Sequence, residues 1–460
     1  IPQGDWSSDV CSSDLMSSTN ETTSLLTAAE TTPAEENKVL IPEEFVDDEK
    51  GKMNTLEFCV NLMKGIAGTG SLALPFAFNQ VGIIACLFLF MLVCGMMILA
   101  TYQLIDINNE VNSMPPESFP EIHTNNTYAE LVFKVTGNTG YWIYYVCSLI
   151  TLYGSNIGSM VVMTDFLSVL PLGPQKFRRL IAQVILTVLC VILCLLKDPK
   201  MLVAVSSLGL FAIAGGFIAL IIYGGVQFGV HFAVSDLWPK SFEAFLENFG
   251  IIVYCMGFIL FLLTQYKYLK RDCQKTVVRS TGVSISLMAV IYSVVGILLA
   301  VIFKNGPKKV QDDIVNSLPD GAWIAIPVNL LMVITVIGGF PLWMEPVNEM
   351  VEGHWGPCTK GRVFITNPVY ILFRIVEIVL ISVVAYFVPH FGDILSVVGN
   401  FTDNITTFIF PAFMHLRLLR KKRSCGIQFL DWFILFFSCI LMVVCTTVSV
   451  KTLIEHMIHK

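Results

Sequence analysis

Charge is what this chain has least of. Asp, Glu, Lys and Arg together make up 14% of its 460 residues, against about 25% in a soluble globular protein. So few ionised groups cannot furnish the surface of a water-soluble domain of this length, and that class is excluded. Metal-ligand spacing is also missing. There is no CxxC pair and no His/Cys cluster; Cys190 and Cys194 stand four apart, but in an apolar run, and read as packing residues. None of the 13 cysteines falls in the loops expected to face outward, so no extracellular disulfide is predicted. A nucleophile elbow, a phosphate-binding loop and a basic tract are absent too. The serines in apolar runs have no base at a recognisable spacing. An enzyme, a cofactor, a bound metal and a nucleic-acid partner are therefore not expected. The net charge of −6 says little about partners, because much of the acid lies in the N-terminal tail.

Apolar side chains are what the chain does have. They account for 55% of it, with 33 Phe and a mean hydropathy of +0.70. About 20 apolar residues cross the roughly 30 Å hydrocarbon core of a bilayer. Runs of that kind occur near 55–79, 83–105, 139–168, 177–196, 200–224, 247–268, 280–303, 321–345, 368–388, 391–415 and 427–450. The prediction is an all-α integral membrane protein with about eleven transmembrane helices. Trp142, Trp238, Trp323, Trp343 and Trp432 lie at or near the ends of these runs, as an aromatic belt requires. Lys267, Lys270, Arg271, Lys275 and Arg279 share one side with Arg417, Arg420, Lys421, Lys422 and Arg423 if the N-terminus is cytosolic. That bias sets the expected orientation, although Lys176, Arg178 and Arg179 run against it.

Residues 1–15 contain a near-duplication (SSDVC/SSDL) and read as a non-native adaptor, to be set aside. Residues 16–53 are polar and acidic and read as a disordered cytosolic tail. Glu21 to Leu25-Leu26 and Glu36 to Leu40-Ile41 match acidic dileucine sorting patterns, so the residence expected is the plasma membrane or an endolysosomal one. The membrane-spanning body covers 54–452, followed by a short tail, 453–460. No cleavable signal peptide is visible, which leaves the first span as the insertion signal.

The first span carries its own interruption. Gly65-Ile66-Ala67-Gly68-Thr69-Gly70-Ser71 gathers three glycines and two hydroxyl residues, and Pro75 follows. Glycine and proline both weaken a helical ladder. In lipid, freed backbone groups must find partners, so a break persists only beside a buried cavity. The N–H groups opening the second half would suit an anion, and the carbonyls closing the first half a cation. A free amino acid carries both charges. The same spacing also fits a kinked, close-packed helix. Ten spans divide into two five-helix halves, and an inverted repeat would place a second break in span six. There the sequence offers Gly250 and Met256-Gly257-Phe258 without a proline, and one helical glycine costs only about 1 kcal/mol.

Asn61-Leu-Met-Lys64-Gly65-x-x-Gly68-Thr69-Gly70-x-Leu72-x-Leu74-Pro75-x-Ala77, followed by Gly82, resembles the first-helix signature of the amino acid/auxin permease family. The proton-coupled amino acid transporter branch is the most similar. The likeness continues at Thr127-Tyr-Ala-Glu130, at Val388-Pro-His-Phe-Gly-Asp393, at Ser396-Val-Val-Gly399 and at Pro411, over essentially 50–450. It implies a LeuT-type 5+5 inverted repeat with one extra C-terminal helix. It implies, too, a secondary transporter for small amino acids, driven by protons or less often by sodium. Gly68, Thr69 and Gly70 would hold the substrate carboxylate, and Gly257 would mark the break in span six. On span three, Tyr153 and Asn156 would line the substrate site, with interhelical hydrogen bonding as the equal alternative; Tyr254 and Gly257 make a similar pair on span six. Two departures stand out. Asn61 replaces the usual histidine three residues before the lysine, and span six lacks the family's Glu and Pro.

Ionisable groups at mid-bilayer cost about 2.5–3.5 kcal/mol on insertion scales and are functional candidates for that reason. Asp403 lies ten residues beyond Asp393, about 15 Å along a helix, and is the leading candidate for proton coupling. A fixed polar network with Asn400 and Asn404 is its alternative. Arg374 and Glu377 have the spacing of an internal ion pair. Lys64 is expected to snorkel to the cytosolic interface rather than to gate. Asp165 and Glu345 sit near span ends, and the sequons at Asn125, Asn400 and Asn404 are not expected to carry glycans. Together these features predict a secondary active carrier of small neutral amino acids, proton-coupled, working by alternating access between spans one, three, six and eight. A sensor of the same fold that binds the amino acid and moves little of it is the other reading.

Overall fold

The computed structural model describes residues 51–458 apart from 52, 121, 123, 196–198, 320, 356–367 and 388–395. The segment 1–15, the dileucine patterns and the loop around Asp393 lie outside the described residues. Helix accounts for nearly all ordered structure here; the one isolated strand-like bridge joins Met53 to Leu269.

The first apolar run is two helices, α1 (Thr55–Ile66) and α2 (Gly70–Val81). Glu57 reaches back to the Asn54 N–H at 2.8 Å and fixes the start of α1. α2 stops at Gly82, which has φ +80°. A Cβ there would lie 2.4 Å from the Trp238 carbonyl carbon, so only glycine allows the turn. Then come α3 (Ile83–Ser113), α4 (Thr127–Ser168), α5 (Arg178–Cys194) and α6 (Pro199–Phe228). α4 is bent where Gly137 adopts φ 79°. Span six is again split, into α7 (Phe242–Met256) and α8 (Ile259–Lys267), with Gly257 and Phe258 in extended and irregular backbone between them. α9 (Val277–Phe303), α10 (Ala325–Trp355) and α11 (Pro368–Phe387) follow. Span ten then opens in two π-helical stretches, Gly399–Asp403 and Ile405–Ile409, before α12 (Phe410–Leu419). α13 (Cys425–Ile458) closes the chain. Helix therefore runs past residue 452, through most of the stretch expected as a tail.

Among the described residues, eight helical stretches are long and apolar enough to cross a membrane. The expected eleven would count α1–α2, α11 and the span-ten stretch as well. Span six is the innermost: 94% of its apolar window is buried, against 22% for α13. α5, α11 and α13 turn Val188, Ile192, Leu380, Phe387, Phe436 and Ile440 outward, a lipid-facing surface that water would not tolerate. α10 packs along α6 and α4, α2 packs against α7, and the π-helical stretch 399–403 lies against α7. Both broken spans thus sit in the centre.

Candidate functional site

The two breaks touch. A Cβ placed on Gly70 would lie 2.9 Å from Cys255 Sγ and 3.0 Å from both Cys255 Cα and a ring carbon of Tyr254. Cys255 Sγ donates to the Gly70 carbonyl at 2.8 Å, and the Thr69 and Tyr254 hydroxyls are 3.5 Å apart. The start of α2 therefore meets the end of α7 with no room for a side chain on Gly70. Ala67 donates its N–H to Met63 and Gly68 to Ile66, but the N–H groups of Thr69 and Gly70 have no acceptor among the described residues. Free amides at a helix N-terminus, with the helix dipole behind them, attract negative charge.

A small cavity of about 20 Å³ opens beside them, lined by Lys64, Gly65, Ile66, Gly68, Thr69 and Gly70 of span one, Ser159 of α4, Tyr254 of α7, and Val336, Gly339 and Trp343 of α10. It is room for about one water and smaller than any amino acid. Spans one, three, six and eight all contribute to its lining. From span three, though, the contributing residue is Ser159, not Tyr153 or Asn156.

The carbonyl end of α1 is filled from within the protein. Trp343 Nε1 donates to Gly65 O at 3.3 Å, Tyr292 to Ile66 O at 2.9 Å, and Lys64 Nζ to Ala67 O at 2.6 Å. Lys64 is fully buried, at 0% exposure. The expected snorkel to the interface does not occur. Its chain instead runs in a slot between Gly209 of α6 and Gly338 and Gly339 of α10.

Asp403 comes to the other break. Its Oδ2 lies 3.1 Å from where a Gly257 Cβ would stand, with the Tyr254 carbonyl at 3.2 Å from the same point. Its Oδ1 accepts from Thr407 at 2.8 Å. Asn400 donates to Ser449, and Asn404 has no partner on either amide atom, so neither caps the carboxylate in the way the sequence allows for. The π-helical backbone, unforeseen in the sequence, is a feature that recurs at functional sites.

Other predicted residues are placed elsewhere. Tyr153 turns to α11 and donates its hydroxyl to Glu377. Arg374 does not pair with Glu377; it forms a two-pronged bond to Glu352 of α10, at 2.6 and 2.9 Å. Asn156 donates to the Leu152 carbonyl of its own helix. Asn61 donates to Gln265 at 3.1 Å and ties α1 to α8. Around that tie lies a polar closure the sequence reading missed. Glu349 accepts from Asn126, Thr264 and Lys267, and Glu345 from Gln265 and Tyr268. The i,i+4 pair Glu345–Glu349 on one face of α10 was the available signal. His415, held between Asp431 at 2.7 Å and Asp106 at 3.1 Å, braces α12 to α13 and α3 away from the cavity.

Comparison with known proteins finds a family and a fold. The family model described as transmembrane amino acid transporter protein matches residues 51–451. The chain is 22% identical to the amino acid transporter AVT3A of Arabidopsis thaliana, over 79% of this chain and 82% of that one. It is 23% identical to the amino acid transporter ANT1 of the same plant, covering 83% and 89%. It is 24% identical to vacuolar amino acid transporter 7 of Saccharomyces cerevisiae, covering 67% and 61%. Among solved structures, a manganese transporter of Eremococcus coleocola aligns with a TM-score of 0.56 at 11% identity, covering 88% and 91%. That likeness shows a shared LeuT-type fold and nothing about cargo.

Proposed function

The chain belongs to the transmembrane amino acid transporter family, and from that premise we propose that it is a secondary active carrier of small neutral amino acids, coupled to protons. The observation that carries the reading is the meeting of the two breaks. The free Thr69 and Gly70 amides at the cavity suit the anionic end of a zwitterion, and the carbonyl end of α7 with Asp403, beside but not lining that cavity, would meet its ammonium as the site opens. Helix-end dipoles reinforce both contacts at a depth where water does not compete. The ≈ 20 Å³ cavity then belongs to a closed stage of the cycle, and movement of α1 or α2 away from α10 enlarges it. Asn61–Gln265 and the Glu349–Lys267 pair, 2.9 Å apart, hold the N-terminal side shut and must separate for release.

Asp403 is the coupling group in this reading. It is a buried carboxyl without a cationic partner among the described residues, and it can exchange a proton as the site opens. An endolysosomal membrane with the N-terminus cytosolic is favoured by the two dileucine patterns and by the relative named as vacuolar. The test is uptake of a panel of labelled amino acids into proteoliposomes, at acidic and neutral external pH, with and without sodium. Uptake that rises with the proton gradient supports the reading. Binding without flux would favour the sensor.

A further inference from the structure

The connection between α8 and α9 carries a group of cations with nothing to balance them. Lys270, Arg271, Lys275 and Arg279 lie there, around the short helical turn Arg271–Gln274, and all four are exposed. None forms an ion pair among the described residues. Asp272, also exposed, is the one acid in the same stretch. Cations elsewhere are engaged: Lys267 with Glu349, Lys422 with Glu110, Arg423 with Asp106.

The polypeptide reaches α1 through this same spot. Met53 donates its N–H to the Tyr268 carbonyl at 2.8 Å and accepts from the Lys270 N–H at 3.1 Å. A Cβ on Gly51, where φ is +87°, would lie 3.6 Å from Lys270 Cα. At the other edge of the basic group, Cys59 of α1 meets the Ser280 carbonyl beside Arg279. Immediately before Gly51 the sequence reads Glu44-Phe-Val-Asp47-Asp48-Glu49-Lys50, four acids against one lysine. At no more than about 3.6 Å per residue, Glu49 Cα stays within about 7 Å of Gly51 Cα, and Asp47 within about 14 Å. Covalent attachment thus confines these carboxylates beside the unpaired cations, at an effective concentration that a free anion or a lipid headgroup does not match. One exposed pair is weak; several sharing a tether add up.

We propose that the basic surface Lys270, Arg271, Lys275 and Arg279 is the docking site of this chain's own acidic segment, Glu44–Glu49. The docked segment clasps the start of α1 to the connection after α8. The first half of span one and the second half of span six are then held together from outside the apolar core. Docking needs no flux; only its bearing on the cycle rests on the carrier reading, in which these two half-spans separate for release.

The experiment is zero-length carbodiimide coupling, which joins a carboxylate to an amine where the two touch, on the full-length protein in phosphatidylcholine nanodiscs, with the products mapped by mass spectrometry. The expected product joins Asp47, Asp48 or Glu49 to Lys275, and its yield falls roughly fivefold or more between about 50 mM and about 500 mM salt. Arg271→Glu combined with Arg279→Glu leaves both coupling partners in place and lowers the yield by a similar factor. Coupling of the acids to Lys50 and Lys52 alone overturns the proposal. So does a Lys275 product indifferent to salt and to the arginine changes, which would report chance encounters of a tethered chain. A product present in phosphatidylcholine and lost in phosphatidylserine nanodiscs assigns the surface to the membrane instead. If the double variant does not fold, the salt series on the wild type decides. Coupling to Lys275 in a protein that moves no amino acid would keep the docking site and remove the carrier reading.

Discussion

At the scale of single residues, the two glycines of the first break have different tasks. A Cβ on Gly68 would meet nothing nearer than the Gly65 carbonyl at 3.8 Å, so it projects into free space by the cavity. Gly68→Val is expected to leave Tm near the wild-type value while its methyl groups fill the substrate's place and cut uptake at least tenfold. Gly70 differs, since its Cβ would press on the Cys255 backbone at 3.0 Å. Overpacking of this kind costs about 1–3 kcal/mol, so Gly70→Ala should lower Tm as well as flux. A Gly70→Ala protein of unchanged Tm would show that α2 and α7 are not in contact. Asp403→Asn should remove the acceleration of uptake at acidic external pH, and an unchanged pH profile would take Asp403 out of the coupling role. The sequence marked Gly68, Thr69 and Gly70 clearly, because three glycines in six residues admit few readings. It could not mark Lys64 as buried: the slot is made by Gly209, Gly338 and Gly339, which are distant in the chain and unremarkable in spacing. Tyr153 was misdirected for the same reason, its partner Glu377 being 224 residues away.

Elements show where local pattern stops being sufficient. The break in span one is written in its composition; that in span six depends on Gly257 alone locally, and contact with Asp403 and α2 completes it. The crossing of α7 with span ten is equally tight. A Cβ on Gly399 would lie 2.2 Å from the Gly250 carbonyl, and one on Gly250 2.5 Å from that of Ser396. The turn Ile314–Ser317 between α9 and α10 packs against α2. Asp313 caps it by accepting from the Val315 N–H at 3.0 Å. Burial pushes the Asp313 carboxyl up to about 8, with Asp312 and Asp165 adding to the rise and the Val315 N–H opposing it. The folded turn therefore holds a proton that the unfolded one releases above its ordinary value of 3.8. Stability of the turn is full below that value and declines as pH rises toward 8. Amide exchange at 310–318, corrected for its intrinsic pH dependence, should be slower at acidic than at neutral pH, and Asp313→Asn should abolish the difference. Equal protection at both pH values in the wild type would contradict this.

For the whole molecule, the low charge content and apolar runs were enough to read a multi-pass helical protein, while the paired halves were implied by the resemblance of the first-helix motif to a known family. What was not legible was which conformation the protein holds. That depends on polar groups meeting across spans: Asn61 with Gln265, and Glu349 with Lys267, Thr264 and Asn126. No local periodicity encodes such pairs. In the proposed reading these pairs close the carrier on the side where α1 begins. Its central claim is that bare amides at the start of α2 grip the carboxylate of the cargo. The most direct measurement is competition: uptake of a labelled amino acid that the wild type carries, challenged by the same amino acid unlabelled and by its methyl ester. The account predicts that the acid competes and the ester, which has no carboxylate, does not. An ester that competes as well as the acid would contradict it.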